Sequence, residues 1–143
     1  MKNSSTLGFT LIELLVTVAI LGILAAIAIV SYNGYVGSAK KKSTMNVMQQ
    51  ISLGQTEYFS ENGEYYTHNS SEPSCAPNDT TSGELETNLL GDADVVTEDM
   101  GFYLCAHKDG AKFKIVALES GVESNKCQIE MTWNGTFSKG QYC

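Results

Sequence analysis

A single carboxylate near the start of a long apolar run is the feature that most constrains this chain. The run follows Gly8-Phe9-Thr10-Leu11-Ile12-Glu13, and no acidic or basic residue occurs from Leu14 to Ala39. Leu14–Val30 is almost wholly apolar, and as an α-helix its seventeen residues would rise about 25 Å. With residues 9–12 added, the length approaches the roughly 30 Å of a bilayer core. The sequence therefore predicts a membrane-spanning helix with Glu13 near its front.

Glu13 needs an explanation of its own. A carboxylate inside a spanning helix costs about 2.5–3.5 kcal/mol on insertion scales, and such a residue is usually functional and has a partner. The alternative is that Glu13 lies in the headgroup layer, where the positive end of the helix dipole favours it. Composition alone leaves both interpretations open.

The motif Gly8-Phe9-Thr10-Leu11-Ile12-Glu13 and the short polar leader before it resemble the prepilin signature of type IV pilins and of the related type II secretion pseudopilins. In that family a prepilin peptidase cleaves after the glycine, here Gly8, and the new N-terminal residue, here Phe9, is N-methylated. The carboxylate, here Glu13, is held to neutralise the terminal amine of a neighbouring subunit. Val30 stands where the family commonly has a proline, which would remove a helix hydrogen bond and kink the helix.

The resemblance implies a subunit of a type IV pilus, acting in adhesion, motility or related surface functions. Its partners would be copies of itself or other pilins, the prepilin peptidase and the pilus assembly machinery. It would reside in the inner membrane before assembly and in an extracellular filament afterwards. No enzymatic activity, cofactor or metal is implied.

Three other interpretations remain open. The chain could be a type II secretion pseudopilin, or a monomeric membrane-tethered binding domain that has no need of Glu13. Residues 26–28 (Ala-Ile-Ala) also offer a small-x-small site for an ordinary signal peptidase. A glutamate in the fifth position of the apolar region argues against that last interpretation.

The part of the chain after the apolar run is acidic. From Thr44 to Cys143 there are five lysines and fifteen acidic residues, a net charge of −10, and the chain has no arginine. Binding of nucleic acid requires a basic face that neutralises phosphates, so we expect no nucleic-acid partner unless lysines cluster in space. Lys40, Lys41 and Lys42 follow the span and slightly oppose the positive-inside expectation, but they begin about 15 Å beyond Val30.

The pattern predicts an α+β fold with three parts: a leader at residues 1–8, a transmembrane or filament-core helix at 9–39, and a head at 40–143. Apolar residues at Met45, Met48, Ile51 and Tyr58/Phe59 follow a period near 3.6, so the helix should run from Phe9 to Glu61. Asn62-Gly63 should end it with a left-handed cap. Gly34, Gly37 and Gly54 within the helix suggest either close helix packing or tolerated glycines.

A loop region at 63–101 and a sheet at 102–143 should complete the head. In the loop, Ser82 is predicted to cap a short helix at Gly83–Leu90. Strands are predicted at Phe102–Ala106, Phe113–Leu118 and Gln128–Trp133, with a turn at residues 108–110. Asn134-Gly135 is a strong hairpin signal that predicts a return strand. Three to four antiparallel strands should therefore lie on the second half of the long helix.

All four cysteines follow the predicted span, and their spacing fits no zinc motif. Two disulfides in an extracytoplasmic head are expected, and four cysteines allow three pairings. We predict Cys127–Cys143, which resembles the disulfide-bounded loop near the C-terminus of pilins, and Cys75–Cys105, which would hold the polar loop to the first strand.

Three further groups of residues are expected to have solvent-exposed or core positions without a functional role. His68 and His107 belong to no catalytic or ligand motif, so they are expected on the solvated surface. The acidic residues at 92, 94, 98 and 99 lack the order of a calcium loop, which favours a solvated loop. The aromatic residues Tyr58, Phe59, Tyr65 and Tyr66 are interpreted as core between helix and sheet rather than as a stacking platform.

Overall fold

The structure, a computed structural model, describes residues 8–68, 74–121 and 124–143. It divides the chain into two units, the first ending at Ser38 and the second running from Ala39 to Cys143. Most of the predicted leader, residues 1–7, and part of the polar loop, residues 69–73, lie outside the described residues.

Two helices and a short 3-10 turn precede the sheet. Helix α1 spans Leu11–Asn62, α2 spans Asp79–Leu89, and the 3-10 turn spans Glu98–Met100. Helix α1 is continuous through Val30, where no proline interrupts its hydrogen bonding. Gly63 ends it as predicted, with φ of 77° and its N–H donating to the Phe59 carbonyl.

The four strands form one antiparallel sheet in the order β1-β2-β3-β4. Their bounds are Phe102–Asp109 for β1, Lys112–Glu119 for β2, Gln128–Thr132 for β3 and Phe137–Lys139 for β4. This confirms the α+β class and the antiparallel sheet. The first two strands are longer than predicted, and the turn between them lies at residues 110–111. Trp133 belongs to the β3–β4 turn rather than to β3.

The core of the second unit lies between α1 and one face of the sheet. The stripe that α1 buries has helical spacing and consists of Thr44, Val47, Met48, Ile51, Gly54 and Gln55. Met48 and Ile51 were predicted on this face and are fully buried. Met45 is only half-buried, and Phe59 is exposed. Alternate residues of β1, β2 and β3 supply the other side of the core, together with Leu85 and Leu89 of α2.

The prediction for α2 was wrong at its start. The helix begins at Asp79, four residues before the predicted Gly83, and its N-cap is Asn78. The Asn78 side chain accepts from Thr81 N–H, while Thr81 Oγ1 accepts from Asn78 N–H. Ser82 is instead buried inside the helix, where its hydroxyl accepts from the backbone N–H of Leu104. Ser82 thus bonds to β1 instead of capping α2, and the local sequence does not reveal this tertiary hydrogen bond.

Gly54 has a packing reason that sequence alone did not distinguish. A Cβ at this position would collide with the backbone carbonyl of Leu89 on α2, whereas Gly34 and Gly37 meet no heavy atom within 4 Å among the described residues. Gly54 therefore allows α1 and α2 to approach closely. Close packing therefore explains Gly54, whereas no described neighbour requires a glycine at Gly34 or Gly37.

We predict that Gly54→Ala lowers the free energy of unfolding by about 1–3 kcal/mol, because the added methyl group must push α2 away from α1. Gly83→Ala is the matched control, since a Cβ at Gly83 meets nothing within 4 Å. That variant should gain up to about 1 kcal/mol from higher helix propensity. Denaturant unfolding of both variants tests this, and a neutral Gly54→Ala would show that the two helices are not in tight contact.

Candidate functional site

The N-terminal segment presents an uncovered apolar helix surface. Every large apolar residue from Phe9 to Val30 is exposed in the isolated chain, with Phe9 at 85% and even the least exposed, Val16, at 48%. Part of α1 is long and apolar enough to cross a membrane. A surface of this kind requires lipid or other helices around it, because it greatly exceeds the apolar patches that soluble monomers expose.

Thr10 and Glu13 form a reciprocal cap at the start of α1. The Glu13 N–H donates to Thr10 Oγ1 at 3.3 Å, and the Glu13 carboxylate accepts from Thr10 N–H at 3.4 Å and from Thr10 Oγ1 at 3.3 Å. This is the Thr-x-x-Glu capping box, which satisfies N–H groups that a helix start otherwise leaves unpaired. The prediction that helix begins at Phe9 was wrong by two residues, since Leu11 is the first helical residue.

Sequence reasoning missed the role of Thr10, although the Thr-x-x-Glu spacing was visible. Glu13 therefore has a partner within its own chain. The cap neither requires nor prevents a second partner, because the carboxylate is exposed and has further lone pairs. Gly8 and Phe9 lie outside the helix, in exposed irregular backbone just before the cap.

The two disulfides have the predicted pairing. Cys75 is joined to Cys105 on β1, and Cys127 is joined to Cys143, with sequence separations of 30 and 16 residues. Loop closures of this size contribute about 3–4 kcal/mol in the chain-entropy description. The second bridge brings Cys143 to α1, where the Lys41 ammonium donates to the Cys143 carbonyl at 2.7 Å.

The expectation that both histidines are solvated was wrong. The side chain of His68 is only 7% exposed, and its Nδ1 accepts from Ala106 N–H at 3.1 Å while Nε2 donates to the Thr81 carbonyl at 2.8 Å. The imidazole thus joins the free edge of β1 to α2. His107 is also buried, with Nδ1 3.6 Å from Cys75 Sγ, and burial followed by the nearby Lys114 ammonium lowers its pKa.

Tyr66 and Gln55 connect the loop after α1 to the core. The buried amide of Gln55 donates to the Tyr66 carbonyl at 2.7 Å and accepts from the Tyr66 N–H at 2.9 Å. The Tyr66 hydroxyl donates to Glu84 at 3.3 Å. Burial and then the Glu84 charge raise the pKa of Tyr66 to about 12, from an ordinary value of 10.0.

This pKa shift predicts a loss of stability in alkali. Because the folded chain holds the Tyr66 proton more tightly than the unfolded chain, the contribution is complete below pH 10 and is lost as pH rises towards 12. The free energy of unfolding, measured by denaturant at pH 9 and 11, should fall less in Tyr66→Phe than in the parent chain. The control is Tyr142→Phe, because Tyr142 is exposed. Equal losses in the parent and in Tyr66→Phe would contradict the assignment.

No group of three or more potential metal ligands occurs among the described residues. The acidic residues Asp92, Asp94, Glu98 and Asp99 are all exposed. The loop that carries the first two is held by Glu86, whose carboxylate accepts from Val95 N–H and Val96 N–H at 2.7 Å each.

Comparison with known proteins supports the resemblance that the sequence motif indicates. Residues 3–29 match the family described as the prokaryotic N-terminal methylation motif. The "Type IV major pilin protein PilE1" of Neisseria gonorrhoeae is 32% identical over 68% of this chain and 54% of that protein. The "Type IV major fimbrial protein FimA" of Dichelobacter nodosus is 29% identical over 93% of this chain and 71% of that protein.

A "Fimbrial protein" of Neisseria meningitidis is 38% identical over 48% of this chain and 41% of that protein. The chain thus spans about half the length of the neisserial relatives that it matches. No solved structure matches the chain. The alignment with FimA, at 93% of this chain, includes residues of both the apolar helix and the head.

Proposed function

We propose that this chain, which belongs to the type IV pilin family, is a structural subunit that polymerises through its N-terminal helix into a pilus filament. The observation that carries the proposal is the apolar surface from Phe9 to Val30, whose large side chains all remain exposed among the residues that the structure describes. The relatives that cover most of the chain are named as pilin and fimbrial proteins, which supports a structural rather than a catalytic role.

The same helix surface would have two successive contacts, first with lipid and then with other helices. In the inner membrane it faces lipid, and in the extracellular filament it faces the helices of copies of this chain or of other pilins. Moving from lipid to neighbouring helices changes hydrophobic energy little, so association must rest on packing and polar pairing. The prepilin peptidase and the assembly machinery would be its partners, and the filament would act in adhesion or motility.

Processing should occur between Gly8 and Phe9. The peptide bond lies in exposed irregular backbone, directly before the Thr10–Glu13 cap, where a peptidase at the membrane surface can reach it. We propose that cleavage exposes the Phe9 amine and that the amine is then methylated.

We expect mass analysis of the mature protein to show a chain that begins at N-methylated Phe9. The control is Gly8→Ile, in which a bulky β-branched residue replaces the glycine at the cleavage point; this variant should keep its leader and stay in the membrane. A mature chain that begins near Ile29 would instead support removal of the apolar run by a signal peptidase.

Glu13 is proposed to pair with the Phe9 amine of a neighbouring subunit. Its hydrogen bonds to Thr10 are long, at 3.3–3.4 Å, and its carboxylate is exposed, so it can take a cationic partner without a large loss. In an apolar filament core, removing one partner of such a pair leaves an uncompensated charge, at a cost of about 3–5 kcal/mol.

Three variants separate this pairing from the local cap. Glu13→Ala removes both, Glu13→Gln keeps a capping-box side chain but removes the charge, and Thr10→Ala removes the Thr10 half of the cap but keeps the carboxylate. We expect sheared filament yield to fall at least tenfold in both Glu13 variants, with processing and the membrane pool retained. Thr10→Ala should assemble nearly as well as the parent.

The opposite ranking would overturn the pairing. If Glu13→Gln assembles normally while Thr10→Ala does not, Glu13 acts as a helix cap only. If all three variants and the parent remain monomeric in detergent and give no filaments, the chain is a tethered domain rather than a polymerising subunit.

A further inference from the structure

A cleft in the head lies between the end of α1, the loop that follows it and the β1–β2 turn. We call it the Tyr65 cleft; the residues used below are Phe59, Glu64, Tyr65, Lys108 and Lys112, all of which line it. Its volume is about 360 Å³, which lies within the range of small-molecule sites. It lies wholly within the second unit.

One wall of the cleft is aromatic. The rings of Phe59 and Tyr65 stack with centroids 4.6 Å apart and an interplanar angle of 27°, and Tyr65 in turn packs on Phe113. Sequence analysis assigned these aromatics to the core, but Phe59 is 42% exposed and Tyr65 only half-buried. Fixed aromatic faces that remain open to solvent can stack on a flat ligand with little loss of side-chain entropy.

The other wall carries positive charge. The Lys112 ammonium lies 5.5 Å from the Tyr65 ring centroid and 5.1 Å from that of Trp133, and it donates to the Tyr65 hydroxyl at 3.4 Å. Among residues 8–68, 74–121 and 124–143, a carboxylate lies within 4 Å of a lysine ammonium only at Lys114–Glu130. No carboxylate of those residues therefore lies within 4 Å of Lys108 or Lys112, although Asp109 is the cross-strand partner of Lys112 and Glu64 lines the cleft.

This charge is unusual for the head, which carries −10 from Thr44 onwards. Two ammonium groups at one cleft favour an anionic ligand. The surrounding negative field disfavours a polyanion, because many phosphates would be repelled by the acidic surface. The fitting ligand thus has isolated negative charges, a ring with an apolar face for Phe59 and Tyr65, and hydroxyls for Glu64 and Tyr65.

We propose that the Tyr65 cleft binds an acidic saccharide, one whose carboxylates are isolated on separate sugar rings. The axial C–H bonds of the sugar lie on the aromatic wall, whose ring faces carry partial negative charge. The carboxylate accepts hydrogen bonds from Lys108 and Lys112, and charge-assisted bonds of this kind are stronger than neutral ones. The site requires no polymerisation and stands independently of the proposed pilus function.

The test titrates the full chain, monomeric in detergent micelles, with a tetrasaccharide of alternating glucuronic acid and N-acetylglucosamine. Trp133 is the only tryptophan of the chain and contacts the Lys112 ammonium, so its fluorescence reports on the cleft. We expect saturable binding of the acidic tetrasaccharide and at least tenfold weaker binding of neutral N-acetylglucosamine tetrasaccharide.

Lys108→Gln and Lys112→Gln should each weaken binding about three- to fivefold, as expected for loss of one partly exposed charge pair. Phe59→Leu, which keeps apolar bulk but removes the flat face, should weaken it similarly. The matched controls are Lys139→Gln, an exposed lysine on β4, and Tyr142→Leu, an exposed aromatic residue; neither lines the cleft, and both should bind like the parent. Far-UV circular dichroism confirms that each variant is folded.

The proposal is overturned if the acidic tetrasaccharide does not bind, or if the neutral one binds equally. It is also overturned if Lys139→Gln weakens binding as much as Lys112→Gln does, since the interaction would then be general electrostatic attraction. Tighter binding of an eight-nucleotide oligothymidine than of the acidic tetrasaccharide would assign the cleft to nucleic acid instead.

Discussion

The head depends on the burial of one helix stripe against one sheet face. Met48 and Ile51 of α1 are fully buried in the same core as Leu104, Ile115 and Ile129 of the sheet. A domain of about 100 residues can build only one small core, and here the helix supplies one of its two layers. A sheet without that helix would expose its apolar face, so the head cannot be separated from the second half of α1.

Because the core is small, hydrogen bonds and a disulfide also hold the rest of the head in place. The free edge of β1 would otherwise present unpaired backbone groups to other chains. Ser82 and Thr81 bond to the backbone of Leu104, and the His68 ring and backbone bond to Ala106. The Cys75–Cys105 bridge lies on the same strand, so covalent and hydrogen-bonded restraints hold the polar loop where apolar packing is sparse.

Sequence could predict what depends on short-range pattern. The 3.6 period of α1, the cap at Gly63 and the turn at Asn134-Gly135 are local signals, and each appears in the structure. The burial of His68 and Gln55 could not be predicted, because their partners lie on a distant strand in one case and on a loop backbone in the other. Ser82 shows the same limit, since tertiary bonding overrode a local cap signal.

The candidate functional sites also differ in whether short-range sequence pattern reveals them. Gly8, Phe9 and Glu13 were identified as a motif, whereas the capping role of Thr10 was missed although its Thr-x-x-Glu spacing is local. The Tyr65 cleft was not visible, because its aromatic wall comes from α1 and the following loop whereas its lysines come from a hairpin some fifty residues later. A hydrophobic pattern identifies aromatic residues as apolar; only the fold shows that Phe59 stays 42% exposed and lines a cleft.

The capping box also bears on how a charged residue can belong to an apolar helix. An uncapped helix start leaves N–H groups unpaired, and an unpaired carboxylate in lipid is costly. In the proposed membrane-bound precursor, the Thr10–Glu13 cap would reduce both penalties before any partner subunit binds. Since the bonds are long and mostly local, exchanging them for a cationic partner loses little. A carboxylate whose partner in its own chain is weak can therefore remain available before assembly and still pair strongly in the proposed filament.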